Sequence, residues 1–268
     1  MNHSTPFPEL NAVLATFLDQ TQAILTPNFV GLYLIGSFAL GDFDLSSDVD
    51  FLVVTHSALS EAQEAALQIM HGAIYDLESE WAKHLEGSYI PASLLQNPDP
   101  NRTPLLFLDN YTRVLVHSDH CNTVVTRWMV YEHGIALAGP PAKTLLNPVS
   151  SQALQQEVHA VILKWSGQLL AHSERIDNRW YQCFVVLSYC RMLHTLECGK
   201  ITSKPVAAQW AQKKLDPRWQ GLIQRAWQYR PNPLLKSQQQ ADEDVQSTLE
   251  FIEYARSRAY DSQPQGQN

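Results

Sequence analysis

The sequence lacks several features that would place it in familiar classes of protein. It has no run of about 18 consecutive apolar residues, so we expect no membrane-spanning helix. Its 19 Lys and Arg residues are outnumbered by 27 Asp and Glu residues, which gives a formal net charge of −8 at pH 7. A chain this acidic offers no general basic surface to a nucleic acid backbone. We therefore expect small molecules, and not DNA or RNA, as partners.

Cysteine and histidine give little sign of a zinc site or of redox chemistry. His117 and His120 in HSDH are spaced for a metal, but we favour a turn there. The four cysteines include no C-x-x-C pair, and no H-E-x-x-H occurs. The first apolar stretch is short and is interrupted by Asp19 and Gln20, unlike a secretory signal peptide. These features predict a cytoplasmic protein. Its 268 residues, 45% of them hydrophobic, are enough for one large domain or two ordinary ones.

The strongest functional signal lies in the stretch 29–54, FVGLYLIGSFALGDFDLSSDVDFLVV. An apolar strand ends at Gly36 and Ser37, a polar turn follows, and Asp48 and Asp50 open a second apolar strand. Strand residues alternate between faces, so these two carboxylates project from the same face and supply hard oxygen ligands for Mg²⁺. The glycine lets a backbone approach an anion closely, and the serine offers a hydroxyl and an N–H to a phosphate.

This order of features resembles the polymerase-β-type nucleotidyltransferases, with a hydrophobic strand, Gly-Ser, a gap, Asp-x-Asp and a second strand. The alternative is a hairpin-like connection with ordinary turn aspartates. It accounts for Asp42 and Asp44, but poorly for two acids at the head of an apolar strand. A third carboxylate is expected from the next strand. Glu86, in the short strand predicted at 85–91, is best placed to supply it, although it could be a solvated residue in a turn.

Hydrophobic periodicity predicts an α+β protein in two parts. The first part is a small mixed sheet with flanking helices, predicted from helix 8–25, strands 29–35 and 49–54, a helix from Ser60 to about His84, strand 85–91, strand 112–117 and helix 121–138. Gly139-Pro140-Pro141 then breaks the chain. We place a nucleotidyltransferase domain over 1–141, a helical domain over 142–260 and a compositionally disordered tail over 261–268.

The second part is predicted to be an all-α helical bundle. One of its helices spans 179–198 and ends at Gly199, and another begins at Ser203. Lys204 lies in the first turn of that second helix, where the macrodipole disfavours a cation unless an anion shares the site. Arg191 could reach the same place across the Gly199 turn. A solvated lysine and a solvated arginine are the alternative.

Over most of its length the chain resembles the aminoglycoside 3''-adenylyltransferases of the streptomycin and spectinomycin type. The resemblance is strong in GSFALGDFDLSSDVDFLVV and in RMLHTLECGKITSKPVAAQW, moderate in ALAGPPAKTLLNP, and weak between about 92 and 125. It implies an N-terminal nucleotidyltransferase domain and an all-helical domain. It also implies Mg²⁺-dependent transfer of AMP from ATP to a hydroxyl of such an antibiotic, with release of pyrophosphate and with antibiotic resistance as the outcome.

The resemblance implies a role for individual residues in both parts of the chain. The nucleotide-binding residues it implies are Gly36, Ser37, Ser47, Arg191, Lys204 and Tyr229. The implied metal ligands are Asp48, Asp50 and Glu86, and these are also the implied catalytic residues. Among them, Glu86 is the general base that deprotonates the acceptor hydroxyl.

The residues implied for the acceptor depart from the family pattern. In that family a tryptophan and a nearby aspartate of the helical domain hold streptomycin, and here the corresponding residues are His172 and Asp177. A further acid of the family falls at Tyr181, and Trp180 is an aromatic residue close by. Other acceptors therefore stay open, either a different small molecule or a protein hydroxyl. A non-catalytic, antitoxin-like nucleotide-binding protein is a further alternative. We expect a monomer.

Overall fold

The computed structural model describes residues 5–230 and 242–262 and divides the chain into two compact units, Met1–Val149 and Ser150–Asn268. The first unit contains strands and helices, and the described part of the second is helical. The predicted α+β class is therefore confirmed. The exact limits of the predicted domains stay a prediction.

The first unit is built on one mixed sheet. Its strands are β1 (Phe29–Leu34), β2 (Val49–Thr55), β3 (Leu85–Pro91), β4 (Leu105–Leu108), β5 (Leu115–Ser118) and β6 (Ile135–Ala138). Its helices are α1 (Pro8–Leu25), α2 (Gly36–Leu40), α3 (Glu61–Tyr75), α4 (Ala92–Gln96) and α5 (Val124–His133). The strand order is β5-β4-β3-β2-β1-β6; β2 and β3 pair in parallel, and the other neighbours pair antiparallel.

The pairing of β1, β2 and β3 brings three segments to one edge of the sheet. β2 and β3 run in the same direction, with Asp50 opposite Glu86 near the start of each strand. β1 runs the other way, and its last residue, Leu34, lies opposite Phe51. The end of β1 and the starts of β2 and β3 therefore meet at this edge.

Helices α1 and α3 bury their apolar stripes in the core of this unit. The buried side chains of these two helices include Leu10, Leu14, Phe17, Leu67, Met70 and Ile74. Full burial of an apolar side chain of this size contributes about 1.5–3 kcal/mol. The predicted start of α3 is also confirmed, because Ser60 and Gln63 form a reciprocal capping box there. This packing supports the strands that carry the edge.

The prediction for α3 is wrong at its C-terminal end. The helix stops at Tyr75 instead of continuing to about His84, and Trp81 is buried from a separate 3-10 turn, Glu80–Lys83. Leu77, which would face inward if the helix continued, is 40% exposed. Trp81 is buried at a spacing that fits a continued helix, so its position mimics helical periodicity. The chain nevertheless leaves the helix, because the turn must lead it into β3.

The sequence does not predict β4 or β6, and the strand it predicts at 112–117 starts earlier than β5 does. The helix predicted over 121–138 ends at His133, and Ile135–Ala138 instead forms β6 against β1. β4 was not predicted, and the strand predicted from Thr112 begins at Leu115. β4 and β6 are four-residue segments that are strands because partners distant in sequence pair with them. Local periodicity carries no such signal.

The second unit consists of helices packed around α7. Its helices are α6 (Ser151–Ala171), α7 (Arg179–Cys198), α8 (Lys204–Lys214), α9 (Gln220–Tyr229) and α10 (Asp242–Asp261). The predicted span of α7 and its cap at Gly199 are confirmed. In the tail predicted over 261–268, residues 263–268 lie outside the described residues. Across the described ranges, no helix combines the length and the apolar character needed to cross a membrane.

Candidate active site

Three carboxylates meet at the edge where β2 and β3 begin. Asp48 directly precedes β2, Asp50 is the second residue of β2, and Glu86 is the second residue of β3. All three residues are partly exposed, and the side chain of Glu86 is 17% exposed. The strands fix the backbone positions while a ligand can still reach the carboxylates. The structure thus brings together the three acids that the sequence predicts.

The turn from β1 into α2 packs directly against Asp50. The backbone N–H of Ile35 donates to the carbonyl of Asp50 at 2.9 Å. Gly36 has a φ of +63°, and a Cβ added there would lie 2.5 Å from Cγ of Asp50 and nearer still to Oδ2. No side chain fits without moving the carboxylate. Gly36 is therefore needed both for its backbone angle and for the position of Asp50.

The two serines of the predicted phosphate site differ in their surroundings. The hydroxyl oxygen of Ser37 is buried and has no hydrogen-bond partner in the part of the chain that the structure describes. Such a group can take a ligand oxygen without first giving up a protein partner. The Ser47 hydroxyl instead accepts from the backbone N–H of Asp44 at 2.9 Å. His84 also contacts this segment, with its Nδ1 2.9 Å from the Ser47 carbonyl.

Asn110, which the sequence analysis did not select, lies between two of the carboxylates. Its side-chain nitrogen donates to Oδ1 of Asp48 at 2.5 Å and to Oε2 of Glu86 at 3.1 Å. His120 is a second neighbour that was not selected, with its Nε2 3.6 Å from Oε1 of Glu86. Asn110 lies in the loop between β4 and β5, and His120 lies in the loop after β5. An asparagine in such a stretch reads as a turn residue, so no sequence signal identified it.

Tyr111 fixes the loop that carries Asn110. Its backbone N–H donates to the carbonyl of Lys83 at 2.7 Å, and its hydroxyl lies 2.9 Å from Nε2 of His84. Burial, followed by the negative charges of Glu80 and Asp48, raises the pKa of the Tyr111 hydroxyl. Tyr111 is therefore protonated and can act as a stable hydrogen-bonding group next to the carboxylates.

The donors at this edge fit a hard cation. Asp48 and Asp50 offer carboxylate oxygens, and Mg²⁺ is commonly held by one or two carboxylates together with phosphate oxygens of the substrate. Burial, reinforced by the charges of Glu86 and Asp50, raises the pKa of the Cys121 thiol to about 12, so no thiolate is offered to a soft metal. Within residues 5–230 and 242–262, no group of three or more His, Cys, Asp or Glu is placed to hold a metal ion. Ligation by all three acids stays a prediction.

In the second unit, Arg191 and Lys204 come to the same helix end. Nε of Arg191 donates to the carbonyl of Thr202 at 3.2 Å, and Thr202 precedes Ser203, the N-cap residue of α8. Lys204 is the first residue of α8. Tyr229 is the last residue of α9, and its ring lies 4.8 Å from the guanidinium of Arg179. The nucleotide-binding roles of Arg191, Lys204 and Tyr229 stay predictions.

The four residues predicted for the acceptor surround the connection from α6 to α7. His172 and Asp177 are exposed, whereas Trp180 and Tyr181 lie in the first turn of α7. Each of these two rings stacks with Phe184 at a centroid distance of 5.9 Å. Phe184 is 40% exposed and was not selected from the sequence. An acidic group and several aromatic faces are therefore available in this segment, and their contact with an acceptor stays a prediction.

Comparisons with known proteins match both units. A family model described as a nucleotidyltransferase domain matches residues 22–91, which include β1, β2, β3 and the three carboxylates. A second model, described as the aminoglycoside adenylyltransferase C-terminal domain, matches residues 144–258.

Curated relatives resemble the chain over most of its length. An aminoglycoside (3'')(9) adenylyltransferase of Shigella flexneri is 26% identical over 234 residues, which are 82% of this chain and 85% of that protein. A spectinomycin 9-adenylyltransferase of Campylobacter jejuni is 24% identical over 242 residues, or 86% and 89% of the two chains.

A solved structure shares the fold. It is the crystal structure of the spectinomycin adenyltransferase AAD(9) from Enterococcus faecialis with ATP and spectinomycin, which matches with a TM-score of 0.70. The alignment covers 93% of this chain and 98% of the other at 17% sequence identity. At this identity the likeness supports the fold and no finer property.

Proposed function

Because the chain unites a nucleotidyltransferase domain with an aminoglycoside adenylyltransferase C-terminal domain, we propose that it transfers AMP from ATP to a hydroxyl of an aminoglycoside-type antibiotic. The predicted resemblance to this family is confirmed, and the chain is an enzyme of the nucleotidyltransferase type. The relatives named as aminoglycoside and spectinomycin adenylyltransferases give the acceptor class. Modification of such a drug would make the host resistant, and the need for ATP places the reaction in the cytoplasm.

The observation that carries the proposal is the group of acids at the start of β2 and β3. Asp50 and Glu86 are paired residues of parallel strands, Asp48 is two residues before Asp50, and Gly36 packs against the Asp50 carboxylate. A chain that kept the fold without the chemistry would not need three acids at one edge of the sheet. This arrangement therefore favours catalysis over the non-catalytic alternative.

The reaction follows from the roles of these residues. Glu86 accepts the proton of the acceptor hydroxyl as general base. The oxygen then attacks the α-phosphorus of ATP in line, a new P–O bond forms, and the bond between the α-phosphorus and the pyrophosphate oxygen breaks. AMP is now attached to the acceptor, and pyrophosphate leaves with the electron pair. The proton on Glu86 returns to solvent.

Charge on the triphosphate would be balanced first by the groups at the start of β2. Asp48 and Asp50 would hold Mg²⁺, which when bound neutralises the charge of the phosphate oxygens. Ser37 provides a hydroxyl that can donate to a phosphate oxygen. From the family resemblance, we also propose that Lys204 and Arg191 contact the nucleotide. Electrostatic stabilisation of this kind supplies most of the catalysis of phosphoryl-type transfers.

The identity of the drug is the finer part of the proposal. Aminoglycosides are cationic, so a net charge of −8 favours their approach. The family's tryptophan and one of its acids are replaced here by His172 and Tyr181, while Asp177 is kept. Spectinomycin and streptomycin are therefore tested separately, and other hydroxylated compounds are included as acceptors.

Pyrophosphate release by the purified protein tests the proposal. The protein is incubated with ATP and Mg²⁺ and with streptomycin, spectinomycin or unrelated polyols, each in turn. We expect release that depends on one of the two drugs and that is abolished in Asp48→Asn. Asp42→Asn is the matched control, because Asp42 is an exposed aspartate of the same loop and the change in charge is the same. The control should keep its activity.

Each other outcome has a defined meaning. Drug-dependent release that survives in Asp48→Asn would contradict the assigned role of the aspartate pair. ATP binding without release for any acceptor of the panel would contradict the antibiotic acceptor and favour a different small-molecule or protein hydroxyl. Failure to bind ATP in the presence of Mg²⁺ would contradict the nucleotidyltransferase function and favour an antitoxin-like protein that keeps the fold without the chemistry.

A further inference from the structure

Asn110 makes two hydrogen bonds to two different acids of the site. Its side-chain nitrogen is 2.5 Å from Oδ1 of Asp48 and 3.1 Å from Oε2 of Glu86. A primary amide nitrogen carries two hydrogens, which is the number needed to donate once to each carboxylate. Hydrogen bonds to ionised acceptors are shorter and stronger than those between neutral groups.

The opposite orientation of the amide is unfavourable here. If the side chain were rotated by half a turn, its oxygen would face two carboxylate oxygens, and three acceptors would meet without a hydrogen between them. The two carboxylates also repel each other when both are ionised. A neutral double donor between them offsets that repulsion without adding charge to the site. The position thus suits an asparagine, and neither an aspartate nor an apolar residue of the same shape would replace it.

The backbone next to Asn110 is held on both sides. On one side, Leu108 is the last residue of β4 and pairs with Gly87 of β3, the residue after Glu86. On the other side, the Tyr111 N–H donates to the carbonyl of Lys83 at 2.7 Å. Asn110 is therefore carried by a fixed loop, and its amide can help to fix the positions of the two carboxylates that it contacts.

We propose that Asn110 is a positioning residue of the transfer reaction, which holds the metal-binding Asp48 and the general base Glu86 in one fixed arrangement. This inference rests on the proposed function. The amide nitrogen engages one oxygen of each acid, and this single atom therefore sets the distance between the two carboxylates. Asn110 itself need not touch ATP or the acceptor.

Substitutions of similar shape test this role. Asn110→Leu removes both donors, Asn110→Asp replaces the donors by acceptors, and Asn110→Gln keeps the donating group on a longer side chain. A misplacement of about 1 Å in a reacting group can cost about 10² in rate, so we expect kcat of Asn110→Leu to fall by about 10- to 100-fold. KM for ATP should change by less than about threefold, because nucleotide contacts remain. Asn110→Gln should recover part of kcat, and Asn110→Asp should not.

The control for the added charge is Asn101→Asp, an exposed asparagine in the same unit. It should leave kcat unchanged. Thermal unfolding of each variant checks that it is folded. Equal kcat in the unsubstituted protein and in Asn110→Leu would overturn the positioning role. A parallel loss of kcat in all three Asn110 variants, with no recovery in Asn110→Gln and a large drop in melting temperature, would show a purely structural role and would overturn it as well.

A second measurement needs neither ATP nor an acceptor. The side-chain NH₂ signals of Asn110 in a ¹⁵N–¹H spectrum are assigned by their loss in Asn110→Asp. We expect Asp48→Asn to shift one of the two protons and Glu86→Gln to shift the other. If neither substitution shifts them, the bridge does not exist and the proposal is overturned. If no acceptor of the panel supports pyrophosphate release, the proposed function fails, and the spectrum still decides whether the bridge is present.

Discussion

Replacing Gly36 by alanine should show how the position of Asp50 affects kcat, apart from any effect on the stability of the fold. Gly36 and Gly41 stand at the two ends of α2, and both have a left-handed backbone, with φ of +63° and +76°. Alanine in this conformation costs roughly 1–2 kcal/mol. Both Gly36→Ala and Gly41→Ala should therefore lose about that much free energy of unfolding.

The two positions differ in what the new methyl group meets. A Cβ at Gly41 has no atom within 4 Å, whereas a Cβ at Gly36 lies 2.5 Å from Cγ of Asp50. Carbon atoms in contact are normally about 3.5–4.0 Å apart, so the carboxylate of Asp50 must move by roughly 1 Å. A displacement of that size in a catalytic group costs about 10² in rate. Gly36→Ala should thus lose about 10² in kcat, and Gly41→Ala should lose little.

The assay combines two measurements on the same preparations. Urea unfolding followed by circular dichroism gives the free energy of unfolding, and pyrophosphate release with ATP, Mg²⁺ and the accepted drug gives kcat. We expect similar losses of stability and very different losses of kcat in the two variants. Equal losses of kcat would refute a role for the position of Asp50, because backbone strain alone would then account for the effect. Full activity in Gly36→Ala would show that the position of Asp50 does not matter.

Further predictions concern the base, the nucleotide and a buried histidine. Glu86→Gln should lower kcat by about 10² or more and leave ATP affinity nearly unchanged; normal turnover would remove Glu86 from the role of base. Lys204→Ala should weaken ATP binding in titration calorimetry roughly tenfold or more, since a hydrogen bond to a charged group contributes about 1.5–3 kcal/mol. Lys213→Ala, at the other end of α8, should not weaken it, and equal effects would contradict a specific site. Burial lowers the pKa of His71 to about 3, below the value of about 6.5 in the unfolded chain. The unfolded state therefore binds a proton that the folded state excludes, and stability should fall by about 1.4 kcal/mol per pH unit as the pH drops from 6.5 towards 3. Urea unfolding of His71→Gln should show a slope smaller by one proton, and an unchanged slope would contradict the prediction.

The two aspartates at the start of β2 could be predicted because the signal for them is local. Asp48 and Asp50 are two residues apart at the start of an apolar run, and strand alternation alone places them on one face. The ends of α7 were also predictable, because a helix of that length has a strong period and a glycine marks its C-terminus. The α+β class follows from such local signals and is confirmed. The resemblance to the adenylyltransferases rests on longer sequence motifs, and the two matching family models confirm it.

Other features depend on pairing between distant segments. Ile135–Ala138 forms a strand because β1 offers an unpaired edge, and the local sequence reads equally well as the end of a helix. The stop of α3 at Tyr75 has a similar cause, since the chain must enter β3 alongside β2. Propensity over a short window cannot decide either case, because the deciding partner lies many residues away.

By itself, the sequence determined the α+β class and the resemblance to nucleotidyltransferases, and it predicted the two aspartates and the glutamate of the candidate site. The tertiary structure decided how these residues are held. It sets Asp50 opposite Glu86 through the parallel register of β2 and β3, and it places the Asp50 carboxylate in the space left by Gly36. It also brings Asn110 between two of the acids. Side-chain identity and spacing are properties of the local chain, whereas register, close approach and shared hydrogen bonds exist only once distant segments have folded together.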